Sequence, residues 1–422
     1  MLSGRGLAVA AAMVTVLGLG SSGCSEKAGT GTAVEVEVDA VSAPADQPVH
    51  LRVTGLTAGD EVTLASAATD YAGQEWQGHA LFRADARGTV ALDSAVPLSG
   101  TYQGADGMGL FWSMNPPTGN PDQARFDPVF PEQQHSYDVR ITVTAHGRQL
   151  ATRTLSRRLV ADGVSDRALT LATDQVTGEL FLPPAGGPKH PAVLLFGGSE
   201  GGDSQKFAAA LLASHGYPAL ALGYFALPGL PATLRDVPLE YFATAARLLA
   251  AQPGTDPAHV LAMGYSRGSE AALLLSEDYP DLFHGAVVYS PSAQVNPGFP
   301  AGGNAWTKDN RPVAQGTVPL GRVSGPILAL AGADDLLWQS PVWARQISQE
   351  LDAADDGFPH QALVYPNAGH GVGTFPYFPV GTEAVNPAGG GLINEGGTRA
   401  GNAAAQSAGW PKVLALLAGL SS

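Results

Sequence analysis

Along residues 33–160 apolar and polar positions alternate, as in Val34-Glu35-Val36-Glu37-Val38 and Val139-Arg140-Ile141-Thr142-Val143. A period of two buries one face of a strand and wets the other, so this stretch predicts half-buried antiparallel strands. Turns such as Ala58-Gly59-Asp60 and Arg87-Gly88 separate them, and no amphipathic helix interrupts. Several such strands predict an all-β, immunoglobulin-like sandwich. After about residue 165 the pattern changes. Continuous apolar runs at 192–196, 219–222, 260–263, 286–289, 327–330 and 362–365 read as strands buried on both faces. Between them, residues 207–215, 239–251, 270–275 and 342–353 have helical character. That alternation predicts a parallel sheet covered by helices. The expected domains are therefore a sandwich over 33–162 and an α/β domain over 163–422, with a polar, Pro/Gly-rich insertion at 292–321.

Composition narrows the class. The 422 residues are 45% hydrophobic and 14% charged, with 53 Gly and 32 Pro, which suits globular domains with many turns. A formal charge of −15, with no Lys/Arg run longer than two, disfavours nucleic acid as a partner. The single cysteine, Cys24, excludes intramolecular disulfides and Cys-based zinc clusters. It follows Arg5, an apolar stretch over residues 7–20 and the small residues Ser21-Ser22-Gly23. The stretch is shorter than the roughly 20 residues a bilayer span needs. Together these features resemble a bacterial lipoprotein signal, in which residues 1–23 are removed and Cys24 is lipidated; an ordinary secretory signal is the alternative. The expectation is an exported chain, held at the membrane only through Cys24, with 24–32 as a tether. No thiol remains for catalysis.

The run Val260-Leu261-Ala262-Met263-Gly264-Tyr265-Ser266-Arg267-Gly268 places G-x-S-x-G between an apolar strand and a helix. A serine at such a turn takes a strained backbone, and small neighbours at Gly264 and Gly268 make room for it. Its hydroxyl needs a base, and the base needs a carboxylate to orient it. Of the downstream histidines, His284 and His360 precede strands, whereas His370 follows one, in Asn367-Ala368-Gly369-His370-Gly371. Loops at the carboxyl ends of strands form the active edge of such a sheet, which selects His370 as the base. By the same rule Ala331-Gly332-Ala333-Asp334-Asp335 supplies the acid. Asp335 is expected to orient His370, with Asp334 as a turn or helix-start residue. The oxyanion donors expected are the amide of Arg267 and those of Gly198 and Ser199 in the loop Phe196-Gly197-Gly198-Ser199-Glu200-Gly201-Gly202. That loop lacks both nucleotide-binding Gly spacings. No His/Asp/Glu cluster has metal-ligand spacing, so neither metal nor cofactor is expected.

Further motifs accompany the elbow. Gly107-Met108-Gly109-Leu110-Phe111-Trp112-Ser113-Met114, Leu195-Phe196-Gly197-Gly198-Ser199, Ala221-Leu222-Gly223-Tyr224-Phe225 with Leu230-Pro231, and Leu239-Glu240-Tyr241-Phe242 occur in order. After them come Pro376-Tyr377-Phe378-Pro379, Gly396-Gly397-Thr398 and Trp410-Pro411. In these the chain resembles the bile acid-CoA:amino acid N-acyltransferase and acyl-CoA thioesterase family, which are α/β-hydrolases behind an N-terminal β-sandwich. The resemblance implies Ser266 as nucleophile, Asp335 as orienting acid and His370 as base. It also favours hydrolysis over amino-acid transfer, since the family's transferases are associated with cysteine at the nucleophile position. The expected function is an acyl-CoA thioesterase-type serine hydrolase with a small-molecule acyl substrate. The alternatives are an envelope carboxylesterase or acyltransferase acting on non-CoA esters, and a surface-anchored binding protein. Trp112 and Met114 are expected in the core, and Trp306 either at an entrance or over apolar surface.

Overall fold

The computed structural model describes residues 33–421 apart from 301, 356 and 374; the expected signal, tether and Cys24 lie outside the described residues. The alternating stretch forms two sheets. One joins Glu35–Val38, Leu51–Thr54 and Val90–Ala91. The other has six strands, with Glu61–Thr69 antiparallel to both Glu75–Arg83 and Ser136–Ala145, and Arg148–Arg158 beyond. Strand Glu61–Thr69 buries every second residue, as period two requires. Val53, Leu64, Phe82, Val139 and Ile141 from both sheets lie in one apolar core.

The second half is built on an eight-stranded sheet whose strands we number in chain order. They are β1 (Ser165–Leu169), β2 (Thr177–Leu182), β3 (His190–Phe196), β4 (Ala219–Gly223), β5 (Thr255–Tyr265), β6 (Ala286–Tyr289), β7 (Ile327–Gly332) and β8 (His360–Tyr365). Their spatial order is β1-β2-β4-β3-β5-β6-β7-β8. Strand β2 is antiparallel to both its neighbours, β1 and β4, and every other pair is parallel. The connecting helices are α1 (Lys206–Ser214), α2 (Leu239–Ala250), α3 (Arg267–Asp278) and α4 (Ser340–Ala353), followed by α5 (Arg399–Gly419). A parallel strand covered on both faces excludes water, and all residues of β4, β6 and β7 are buried. No helix among the described residues is long and apolar enough to cross a membrane.

The described residues from Val34 onward form one compact unit. The join is partly aromatic: Phe126 and Tyr137 of the sandwich meet the Phe378 ring edge-on at 6.0 and 5.4 Å. It is partly polar. The buried Asp46 carboxylate accepts from Trp410 Nε1 and His215 Nε2, both at 2.6 Å, and Arg399 donates to Asn115 Oδ1 and the Met114 carbonyl. Trp112 and Met114 are buried in the core that spans this join.

Candidate active site

Strand β5 ends at Tyr265 and α3 begins at Arg267, which leaves Ser266 at the turn with φ 54° and ψ −120°. Positive φ is unfavourable for a residue with a Cβ, so the surroundings must impose it. They do so by crowding. A Cβ on Gly264 would run into the Gly268 carbonyl, one on Gly268 into the Gly197 carbonyl, and one on Gly198 would lie 2.7 Å from Ser266 Cβ. Main-chain bonds complete the clamp: Ser266 N–H donates to the Tyr289 carbonyl and Ser269 Oγ to the Ser266 carbonyl.

His370 follows β8 and is 2% exposed. Its Nε2 is 2.9 Å from Ser266 Oγ and its Nδ1 is 2.8 Å from Asp335 Oδ2. Hydrogen bonds fix this residue where crowding fixes the serine. Its N–H donates to the Glu395 carbonyl, and its own carbonyl accepts from Ser290 Oγ at 2.6 Å and Tyr265 Oη at 3.1 Å. The imidazole lies between the Tyr265 and Trp338 rings, with centroid distances of 5.3 and 5.8 Å. Trp338 is itself held by Nε1 donating to the Ser290 carbonyl.

Asp335 performs two tasks. Oδ1 accepts the N–H groups of Leu337 and Trp338, closing the turn after β7, while Oδ2 accepts from Ser340 Oγ at 2.5 Å as well as facing His370. The turn-closing role expected of Asp334 thus falls to Asp335, because its side chain is the one turned back over the loop. Asp334 contributes its N–H to the Ala368 carbonyl.

The oxyanion loop also departs from expectation. The Gly198 N–H is taken by the Glu200 carboxylate, at 3.0 and 2.9 Å to its two oxygens. Glu200 further accepts from Ser204 Oγ. The N–H groups of Ser199 and Arg267 have no hydrogen-bond partner among the described residues, and both residues line the cavity over Ser266. The unpaired amides beside Ser266 are therefore those of Ser199 and Arg267. Tyr224 Oη donates to the Gly197 and Gly198 carbonyls and steadies the loop from beneath.

The cavity over Ser266 has a volume of about 350 Å³ and is walled by Glu200, Phe299, Trp338, Val385 and Ile393 among others. Two segments roof it. The hairpin Glu383–Val385 with Leu392–Asn394 covers one side. The Pro/Gly-rich insertion covers the other and is pinned to α3 by a buried ion pair. Glu270 and Arg267 meet at 2.6 Å, Arg267 donates to the carbonyls of Asn296 and Pro297, and Trp306 Nε1 donates to Glu270 Oε2. Burial pushes the Glu270 carboxyl up, against the pull of Arg267. Trp306 is fully buried, so it covers apolar surface and lines no entrance. Burial likewise pushes Glu395 up, beside the cavity.

Ser266, His370, Asp335, Ser199 and Arg267 come together at the carboxyl edge of the sheet; His284 and His360 do not. The His284 N–H donates to the Val260 carbonyl at the amino end of the apolar part of β5, and His360 Nε2 meets Asp352 on α4. Ser290, Trp338, Ser340 and Glu200 were not singled out from the sequence. Ser290, directly after β6 at φ 43°, carried a usable signal in its place at the active edge of a strand.

This arrangement defines the class: an α/β-hydrolase with a serine elbow, behind a β-sandwich. Residues 46–170 match the acyl-CoA thioester hydrolase/BAAT N-terminal region, and residues 303–419 the BAAT/acyl-CoA thioester hydrolase C-terminal region. The chain is 31% identical to mouse acyl-coenzyme A thioesterase 6 and 30% to rat acyl-coenzyme A thioesterase 1. Mouse peroxisomal succinyl-coenzyme A thioesterase is 28% identical. Each match covers 87% of this chain and 92% of the relative. The chain belongs to the acyl-CoA thioesterase/BAAT family and is a hydrolase. Similarity to solved structures is lower; a dienelactone hydrolase-like phosphotriesterase from metagenomic libraries matches at 19% identity and TM-score 0.41, over 61% of this chain and 99% of that one.

Proposed function

We propose that the chain hydrolyses small-molecule acyl thioesters or esters through an acyl-enzyme on Ser266. The observation that carries this reading is the unbroken contact from Ser266 Oγ through His370 to Asp335, at 2.9 and 2.8 Å. His370 Nε2 takes the Ser266 proton as Oγ bonds to the acyl carbon. The N–H groups of Ser199 and Arg267 receive the negative charge on the carbonyl oxygen. When the tetrahedral intermediate collapses, the bond to sulfur or oxygen breaks, and the leaving thiolate or alkoxide takes the proton from His370. Water then gives a proton to His370 while its oxygen attacks the acyl-serine, releasing a carboxylic acid and restoring the hydroxyl. Asp335 keeps the imidazole in the required tautomer and stabilises it when protonated. The curated relatives are named as acyl-CoA thioesterases, which supports an acyl thioester as substrate.

Ser266→Ala tests this directly. Turnover of p-nitrophenyl and acyl thioester substrates should fall by about 10³-fold or more, with the circular dichroism spectrum unchanged; wild-type rates in that variant would dismiss the nucleophile. We also propose export and anchoring through Cys24, which the Leu7-to-Gly20 stretch and the lone thiol support. Cys24→Ala should move the protein from the membrane fraction to the soluble one, and retention would count against lipidation.

A further inference from the structure

The charge on the walls of the proposed active site bears on the leaving group, an inference that rests on the serine-hydrolase reading above. A second cavity of about 330 Å³ adjoins the one over Ser266, and the two share Glu200, Tyr265, Ala384, Val385 and Glu395 as lining. Their walls carry the carboxylates of Glu200 and Glu383, the Glu395 carboxyl that burial pushes toward its neutral form, and the guanidinium groups of Arg267 and Arg125. Each cation is already engaged. Arg267 pairs with the buried Glu270 at 2.6 Å, and Arg125 pairs with Asp127 at 2.9 Å.

The carboxylates have no such match. Glu200 accepts from the Gly198 amide and Ser204, Glu383 accepts from the Gln123 amide, and neither is in a direct ion pair among the described residues; Arg125, already paired with Asp127, acts on Glu200 and Glu395 only at a distance. Arg235 reaches the insertion near Gly298 but lines neither cavity. Charges at a confined mouth are screened less than those in open solvent, so these walls present a net negative field to an arriving group. The lip is otherwise apolar: Val385 is 76% exposed and Leu337 38%, with exposed Leu392 paired to Val385 across the hairpin and exposed Leu336 beside Leu337 in sequence.

We infer that this site takes acyl esters and thioesters whose leaving group is uncharged, and discriminates against the polyphosphorylated leaving group of acyl-CoA. An apolar acyl chain and a short neutral thiol or alcohol meet the apolar lip without repulsion. Coenzyme A would bring several phosphate charges to cavity walls on which, among the described residues, no guanidinium or ammonium is free to receive them.

The test compares kcat/KM for one acyl chain carried on CoA and on N-acetylcysteamine, a neutral thiol with the same reacting end. At 0.1 M salt the neutral thioester should be favoured by about tenfold or more. Raising salt to 1 M shortens the screening length from about 10 to about 3 Å and should bring the two rates together. Glu383→Lys, at the rim, should move the ratio toward CoA by about threefold or more. Equal or higher kcat/KM with CoA, or a CoA rate that falls with salt, overturns the inference while leaving the serine-hydrolase reading intact, provided Ser266→Ala abolishes both activities. Turnover that survives Ser266→Ala, or no turnover of either thioester by wild type, overturns both.

Discussion

The two sides of the proposed relay are held in place by different forces. Ser266 sits in a backbone conformation that its neighbours enforce by volume: Gly264, Gly268 and Gly198 are each in contacts that leave no space for a methyl group. His370 sits in a loop that is crowded as well, since a Cβ on Gly369 would run into the Gly396 carbonyl, but its own backbone is held chiefly by hydrogen bonds. Three main-chain hydrogen bonds, from Ser290, from Tyr265 and to Glu395, fix it, and Asp335 fixes its ring. A steric clamp fails abruptly when an atom is added, because close-packed atoms cannot yield. A hydrogen-bonded clamp fails by increments, each bond contributing about 1 kcal/mol.

The largest expected effect removes one member outright. His370→Ala should lower kcat/KM by about 10⁴-fold or more, with the double variant Ser266→Ala/His370→Ala no worse than either single one, since members of a relay act as a unit; additive losses would break the account. Next, Gly268→Ala should abolish measurable hydrolysis and destabilise by about 1–3 kcal/mol, read as a drop in denaturation midpoint, because the new Cβ meets the Gly197 carbonyl. An active, equally stable variant would show that the elbow is not held by crowding. The opposite side should respond more gently. Ser290→Ala removes one donor to the His370 carbonyl and should reduce kcat by about tenfold, a factor that corresponds to about 1.4 kcal/mol, while Ser290→Thr restores part of it. Loss as complete as that of His370→Ala would mean the base has no redundancy.

The smallest effect extends the comparison to the join between the halves. Burial opposes charge on His215, but its hydrogen bond to Asp46 and that carboxylate's charge outweigh it, and the imidazole is net raised above its usual value of 6.5. The folded state therefore binds the proton more tightly than the unfolded one. The resulting stability is fully present below pH 6.5 and is lost as pH rises through the higher folded value. His215→Gln should lower the melting temperature at pH 5.5 by a few degrees, on the order of 1 kcal/mol, and by less at pH 8.5. An equal drop at both pH values would mean that packing, rather than the ion pair, is what His215 supplies.

Legibility in the sequence followed the same division. The elbow is a local feature, since strand, turn, glycines and helix all lie within residues 260–278, and its pattern is visible without tertiary information. Doubly buried strands declared themselves as apolar runs, and residues 286–289 coincide with the observed β6. Elements whose stability comes from contacts were hidden. Strand β1 reads Ser-Asp-Arg-Ala-Leu and has four exposed residues, so it shows no apolar run. Helix α5 contains Gly401, Gly409 and Pro411, which read as turn signals. In the fold Gly401 packs against the Asn367 carbonyl and Gly409 against Leu330 and Tyr365, close approaches that larger residues would prevent. The partners of His370 were illegible for a related reason. Ser290, Trp338 and Glu395 come from three separate loops, and nothing local in the chain announces that they converge. Glu200 stands in plain view inside the Gly-rich loop, yet only the folded loop brings its carboxylate onto the Gly198 amide expected to face substrate.

Catalysis as proposed requires the Ser266 hydroxyl to become covalently acylated. Treating the folded protein with a fluorophosphonate and locating the adduct by peptide mass spectrometry tests it most directly. One adduct per chain is expected, on the peptide that carries Ser266, formed rapidly in wild type and greatly slowed in His370→Ala. Stoichiometric labelling of another residue, or none in a preparation that hydrolyses thioesters, would contradict it.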